Sequence, residues 1–195
     1  MTFTGKASFT FPDGKVYEGD FENDLPNGVG CMTFPNGDTY DGHWKNGKMD
    51  GHGTYRFFDL RRDRFCGYYE GFFRDSQFDG WGKREYANKA KYCGRWQHGK
   101  KTGEGQLLFA TGDSFSGIWE EDVLKEGFVS FADGSTYSGH LKDYRFMGFG
   151  TYMRPDGTIL QGEWDGAVLV KGVEISANGD ISEIEENKNY GKGYA

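Results

Sequence analysis

One motif recurs along this chain and limits what it can fold into more than any other feature. It runs aromatic-x-Gly-x-aromatic, then Gly-x-Gly, then Asp-Gly or Asn-Gly. The first part occurs as Tyr17-Glu18-Gly19-Asp20-Phe21, Tyr40-Asp41-Gly42-His43-Trp44, Tyr69-Glu70-Gly71-Phe72-Phe73, Tyr92-Cys93-Gly94-Arg95-Trp96 and Phe115-Ser116-Gly117-Ile118-Trp119. Looser copies follow at Tyr137-Ser138-Gly139-His140-Leu141 and Leu160-Gln161-Gly162-Glu163-Trp164, and the starts lie 23, 29, 23, 23, 22 and 23 residues apart. A fixed period of this length marks a repeat architecture. The chain holds 32 glycines in 195 residues, about twice the usual share. Helices cannot tolerate glycine at that density, and 17 Phe, 12 Tyr and 5 Trp argue against disorder. Many short strands joined by tight turns remain.

Each unit reads as a β-hairpin. Side chains alternate with period two along a strand, so Tyr40, Gly42 and Trp44 share one face, and Gly51, Gly53, Tyr55 and Phe57 share one face of the next strand. Rings lying over bare glycine backbone would cover it, as aromatic residues do across strands. Asn36-Gly37, Asp133-Gly134, Asp156-Gly157 and Asn178-Gly179 predict type I′ turns.

These residues closely resemble the MORN repeat (membrane occupation and recognition nexus), with its YxGxW, GxG and DG signature. The resemblance covers roughly residues 1–180, and the opening MTFTGKASFTF is similar to that of small stand-alone members. It implies an all-β fold, an elongated single-layered antiparallel sheet of tandem MORN β-hairpins. The predicted organisation is a repeat array over 1–181, with a half-unit at 1–16 and units starting near 17, 40, 69, 92, 115, 137 and 160. An acidic C-terminal tail or cap over 182–195 completes it.

Catalytic chemistry finds no support. His43, His52, His98 and His140 lack zinc-ligand spacing with cysteine, and no Gly-x-Ser-x-Gly occurs. His43 and His140 share a repeat position facing outward, and His98 falls in a turn. The Gly-x-Gly pairs are not phosphate loops, which need a following helix. The expectation is a non-enzyme without cofactor or metal. Cys31, Cys66 and Cys93 read as reduced thiols of a cytoplasmic protein. Neither a secretory leader nor a spanning apolar stretch is legible.

Binding is left. The resemblance implies a scaffold or adaptor that holds a peptide or helix of a partner protein in its groove, in a cytoskeletal, ciliary or cortical assembly. The consensus rings Tyr17, Tyr40, Trp44, Tyr69, Phe73, Tyr92, Trp96, Trp119 and Tyr137 would form the core and also line that groove. On the opposite face Phe72, Trp81, Leu108, Ile118, Phe128 and Phe149 stand where the repeat favours polar residues. They form either an exposed binding patch or a surface covered by a loop or tail of the same chain.

Charge is uneven. Residues 83–101 carry seven basic groups and one acid, while 1–82 and 102–195 are net −4 and −9 in a chain of net −7. Lys83, Lys89, Lys91, Arg95, Lys100 and Lys101 are either solvated surface or a site for an acidic segment or an anionic membrane lipid, as in a phosphoinositide-binding module. Nucleic acid is disfavoured by the negative total. The unit that begins at 40 is six residues longer than its neighbours, with Arg61, Arg62 and Arg64 at its tip. This reads as an extended solvated hairpin or a loop that touches a partner. The unit near 160 caps the array or pairs with a second copy, since an open edge strand needs cover.

Overall fold

The computed structural model describes residues 2–185 and 188–189. Every regular element among them is a β-strand. The chain divides into two compact units, residues 1–100 and 101–195.

The first unit contains β1 (Gly5–Thr10), β2 (Val16–Glu22), β3 (Leu25–Thr33), β4 (Thr39–Lys45), β5 (Lys48–Asp59), β6 (Arg64–Arg74), β7 (Gln77–Glu85) and β8 (Lys91–Gln97). Each strand pairs antiparallel with the next in sequence, giving a single-layered meander. The second unit carries β9 (Lys100–Leu108), β10 (Ser114–Glu120), β11 (Val123–Ser130), β12 (Thr136–Lys142), β13 (Arg145–Met153), β14 (Ile159–Asp165) and β15 (Val168–Ile175). These run from β9 to β15 in the same manner. Two further strands, β16 (Ile181–Ile184) and β17 (Lys188–Asn189), both pair with β15. The expected acidic tail therefore begins inside β16; residues 186–187 and 190–195 lie outside the described residues.

A row of glycines runs across each unit. Gly19, Gly30, Gly42, Gly53, Gly71, Gly82 and Gly94 are successive cross-strand partners in the first. Two positions in this row show why no side chain fits. A Cβ on Gly42 would lie 2.5 Å from the Gly53 Cα, so the two backbones approach too closely for one. A Cβ on Gly53 would lie 2.5 Å from Cε2 of Tyr40, whose ring covers this glycine as expected.

The tyrosine and tryptophan rings are also pinned by their polar atoms. Tyr17, Tyr40, Tyr69 and Tyr137 donate their hydroxyls to the carbonyls of Asp20, His43, Phe72 and His140, at 2.9–3.0 Å. The indoles of Trp44, Trp119 and Trp164 donate Nε1–H to the carbonyls of Gly30, Gly105 and Gly150, at 2.9–3.1 Å. The repeat thus satisfies its own buried donors, which is the condition for burying a Tyr or Trp.

The strand that follows the YxGxW segment carries a bulge in the units starting at 17, 40, 69, 115, 137 and 160. In the units starting at 17, 40, 69 and 137 it carries two surplus residues. The first Gly of Gly-x-Gly lies in this bulge with positive φ, as at Gly51 (104°). In the units starting at 115 and 160 only one residue is surplus, and Lys125 and Val170 stand there. The smaller bulge needs no left-handed residue, so a glycine and a residue disappear together.

The turns differ from expectation. Asn36, Asp133, Asp156 and Asn178 are not at positive φ; the glycine after each is, at 82–91°. Gly37 N–H bonds to the Phe34 carbonyl, and Phe34 N–H to the Asp38 carbonyl, the pattern of a type I turn closed by a glycine bulge. Two successive positive-φ residues, the type I′ signature, occur instead at Asn23-Asp24, Asn46-Gly47, Asp75-Ser76, His98-Gly99, Glu121-Asp122 and Asp143-Tyr144. These turns join the YxGxW strand to the strand that follows it in the units starting at 17, 40, 69, 92, 115 and 137; in the unit starting at 160 Gly166 alone is at positive φ. They interlock along one edge: Gly47 N–H bonds to the Pro26 carbonyl, Ser76 to Met49 and Gly99 to Phe78.

Candidate partner-binding surfaces

The consensus rings are core. Tyr17, Tyr40, Tyr69, Tyr92 and Tyr137 are 0% exposed, and Trp44, Phe73, Trp96 and Trp119 are at most 5% exposed. In the first unit Tyr17, Trp44, Tyr40, Phe73, Tyr69, Trp96 and Tyr92 form a chain of edge-to-face contacts, with Tyr40 5.2 Å from Trp44 and 4.8 Å from Phe73. Burial pushes the Tyr17 hydroxyl up to about 12, with the nearby Asp20 charge adding to it. Tyr40, Tyr69 and Tyr137 are raised for the same reason, by burial. These rings build the ring-bearing face but present almost no surface to a partner.

The opposite face is apolar and exposed. In the first unit Phe72 is 49% and Trp81 48% exposed. They come from adjacent strands at the bulge, where Gly80 leaves room beside Phe72: a Cβ there would lie 3.0 Å from the Phe72 Cβ. His52 meets Phe72 edge to face at 5.5 Å, and the Arg95 guanidinium lies 5.5 Å from the Trp81 ring centre. Lys83 sits 5.9 Å from the Tyr68 ring centre, and its bond to the Tyr68 hydroxyl holds the ammonium above its ordinary range. Phe72, Trp81, Tyr68, Lys83 and Arg95 therefore form one cationic, aromatic surface.

In the second unit Leu108, Ile118, Phe128 and Phe149 are also exposed, but they are interleaved with polar partners. Ile118 stands between Glu104 and Glu126, Phe128 between Ser116 and Ser138, and Phe149 opposite Glu163. These residues do not make the contiguous patch that their sequence positions had suggested.

The expected basic cluster is not one surface either. Lys89 and Lys91 both pair with Glu85, at 3.1 and 3.8 Å, and these contacts, the Lys89 hydrogen bond first, hold the Glu85 carboxyl below its usual range. Lys100 is exposed. Lys101 lies in the second unit, on the ring-bearing face, 4.6 Å from the Trp119 ring centre and paired with Asp122. Lys83, Lys91 and Arg95 share the face of Trp81, and Lys100, next to Lys101 in its strand, points away from the ring-bearing face.

The long hairpin is anchored at its base. Asp38, 8% exposed, accepts hydrogen bonds from the Tyr55 hydroxyl and the Phe58 N–H, both at 2.7 Å. Its tip, with Leu60 67% and Phe65 51% exposed, stands in solvent with Arg61, Arg62 and Arg64.

One residue was counted in the sequence only as a charge. Arg84 lies on the ring-bearing face as the strand partner of Tyr69. The strand partners of Tyr17, Tyr40, Phe115 and Tyr137 are Phe9, Met32, Tyr55, Leu107, Val129 and Tyr152, and Leu160 in the last repeat has Tyr152 and Glu174. Aligning the repeats column by column would have marked this arginine in a core position.

Comparison with known proteins agrees with this architecture. The family model for the MORN repeat matches residues 17–39, 40–59, 69–91, 92–114 and 137–159. The units starting at 115 and 160, which it passes over, are those with the one-residue bulge. Alsin of Rattus norvegicus is 33% identical over 213 residues, and Alsin of Homo sapiens 30% identical; each alignment covers 86% of this chain and 12% of Alsin. The chain therefore spans a small part of the length of these relatives. Among solved structures, the TCP domain of SAS-4 from Drosophila melanogaster, in complex with a proline-rich motif of Ana2, superposes with a TM-score of 0.51 at 16% identity. That alignment covers 92% of this chain and 88% of the domain, a likeness of fold. Since the matched repeats take up more than half of its residues, the chain belongs to the MORN-repeat family.

Proposed function

We propose that this chain is a non-enzymatic protein-binding module that lays an extended partner segment across its strands. In that reading it acts as a scaffold or adaptor, in the cytoskeletal, ciliary or cortical setting implied by the family resemblance. The observation that carries it is the face of the first unit where Phe72 and Trp81, each about half exposed, are flanked by Arg95 and Lys83. Aromatic side chains with arginine are the residues most enriched in binding hot spots. Folding does not account for their exposure, because the core is built on the other face. The similar TCP domain is in complex with a proline-rich motif, which supports a peptide as the class of ligand.

The test is affinity purification of the full chain from its native cells, beside a Trp81→Ser/Phe72→Ser variant. The expected result is a stoichiometric protein partner with the native chain and about a tenfold loss with the variant, as for a hot-spot pair. Unfolding of the two proteins should coincide. Equal recovery by both would refute the face assignment, and recovery of lipid alone would refute the protein-binding reading.

A further inference from the structure

We propose that Arg84 forms, on the ring-bearing face, a receptor for an acidic side chain of a partner protein segment. This site is separate from the Trp81 face and does not depend on it.

The guanidinium lies 4.6 Å from the ring centre of Phe57, 4.7 Å from that of Tyr86 and 5.7 Å from that of Phe78. Its Nε is sealed from solvent without a hydrogen-bond partner. No carboxylate among the described residues lies within ion-pair distance of it. Such a charge is costly to keep half-buried, and surrounding rings recover only part of that cost. The other core-column residues named above are apolar or tyrosine, except Glu174, which has Arg154 as its ion-pair partner at 3.4 Å, so packing does not call for an arginine without an acid.

The neighbouring unit shows what is missing. Tyr55, the strand partner of Tyr40, gives its hydroxyl to Asp38, which stands two residues before Tyr40. Two residues before Tyr69 stands Gly67, and a Cβ there would collide with the Glu85 carbonyl. The chain cannot supply an internal acid at that place. Glu85 itself is occupied by Lys89 and Lys91. Three rings, a bare backbone and an unpaired guanidinium leave a socket whose missing element is a carboxylate. In such partly desolvated surroundings a charge-assisted, two-pronged arginine–carboxylate pair is far stronger than on open surface.

The test is a selection of short displayed peptides against the full chain and, in parallel, against Arg84→Met, which installs the residue present at Met32. The native chain should yield peptides sharing one Asp or Glu that the variant does not select. A synthetic copy should bind the native chain at least about tenfold more tightly than it binds Arg84→Met, from the usual strength of a charged hydrogen bond. The copy with Gln for Glu should lose the same factor, a comparison that needs no protein variant. Trp81→Ser should leave that binding unchanged. Peptides that bind Arg84→Met equally well, or tolerate loss of their acid, would overturn the socket. If those peptides were lost with Trp81→Ser instead, the Trp81 face would stand alone. Binding of Arg84 only to vesicles of phosphatidylserine, with no acidic peptide selected, would overturn it in favour of a headgroup.

Discussion

Gly53→Ala tests the physical basis of the repeat. Gly53 has an ordinary extended backbone, so alanine there meets no conformational strain. Its new methyl would lie 2.5 and 2.6 Å from Cε2 and Cζ of Tyr40. The ring has to withdraw by about 1 Å to reach normal separation, which pulls its hydroxyl off the His43 carbonyl and opens its contacts with Trp44 and Phe73. Overpacking costs about 1–3 kcal/mol and the lost hydroxyl bond about 1 kcal/mol. Alanine returns about 0.5–1 kcal/mol through the less flexible unfolded chain. The net loss is about 1–3.5 kcal/mol, readable as a lower urea midpoint followed by circular dichroism. In a Tyr40→Leu background, where leucine is the residue found at Leu160, most of this loss should vanish, giving a coupling of about 2 kcal/mol. Gly42→Ala differs: its methyl meets the Gly53 Cα and the His52 carbonyl as well as the Tyr40 hydroxyl, so Tyr40→Leu relieves only part of its cost. A Gly53→Ala cost below about 0.5 kcal/mol, or one equally large in both backgrounds, would refute the account of tyrosine covering glycine.

The buried tyrosines predict alkaline instability. Tyr17 is held up to about 12 in the folded chain against the ordinary 10 of a tyrosine, so the unfolded state loses its proton first. The stabilisation from this group is complete below pH 10 and lost as pH rises towards 12, about 2–3 kcal/mol from Tyr17 alone; tyrosinate absorbance should appear together with loss of strand signal. Asp38→Ala removes the acceptor of Tyr55 and Phe58 and should cost about 2–3 kcal/mol, with faster amide exchange at Phe58. Trp44→Phe leaves the Gly30 carbonyl without its indole donor and should lower stability by about 2 kcal/mol, measured by the same urea titration.

The repeat, its hairpins and the ring-over-glycine packing were legible because each follows from spacing and from the period-two alternation of strands. The turn types were misassigned at the Asn-Gly and Asp-Gly sites. Those dipeptides suit several hairpin loops, and loop length decides between them: Phe34 to Asp38 closes a longer loop, while Asn23-Asp24, with no glycine, takes the primed turn. The binding surface was less legible. A ring in the motif reads the same whether it is buried, as Tyr69 is, or exposed, as Phe72 is, and Gly80, which marks the bulge opposite Phe72, does not tell whether that outward face is open or covered. Lys101 illustrates a further limit, since charge clustering along a chain ignores which face each residue takes.

The two edges of the hairpins obey different rules. Along one, primed turns give a backbone N–H to the hairpin before them, as Gly47 does to Pro26, Ser76 to Met49 and Gly99 to Phe78, so their length is fixed by the neighbour. The six extra residues of the long unit lie at the other edge, where Asp38 joins consecutive turns through a side chain. New sequence can therefore be grafted at the Leu60–Asp63 tip without disturbing the repeat register, while a single residue added at Asn23-Asp24 or Asn46-Gly47 would break a seam shared by two units. A family built in this way can vary its loops on one margin only, and any diversity of recognition carried by loop length belongs to that margin.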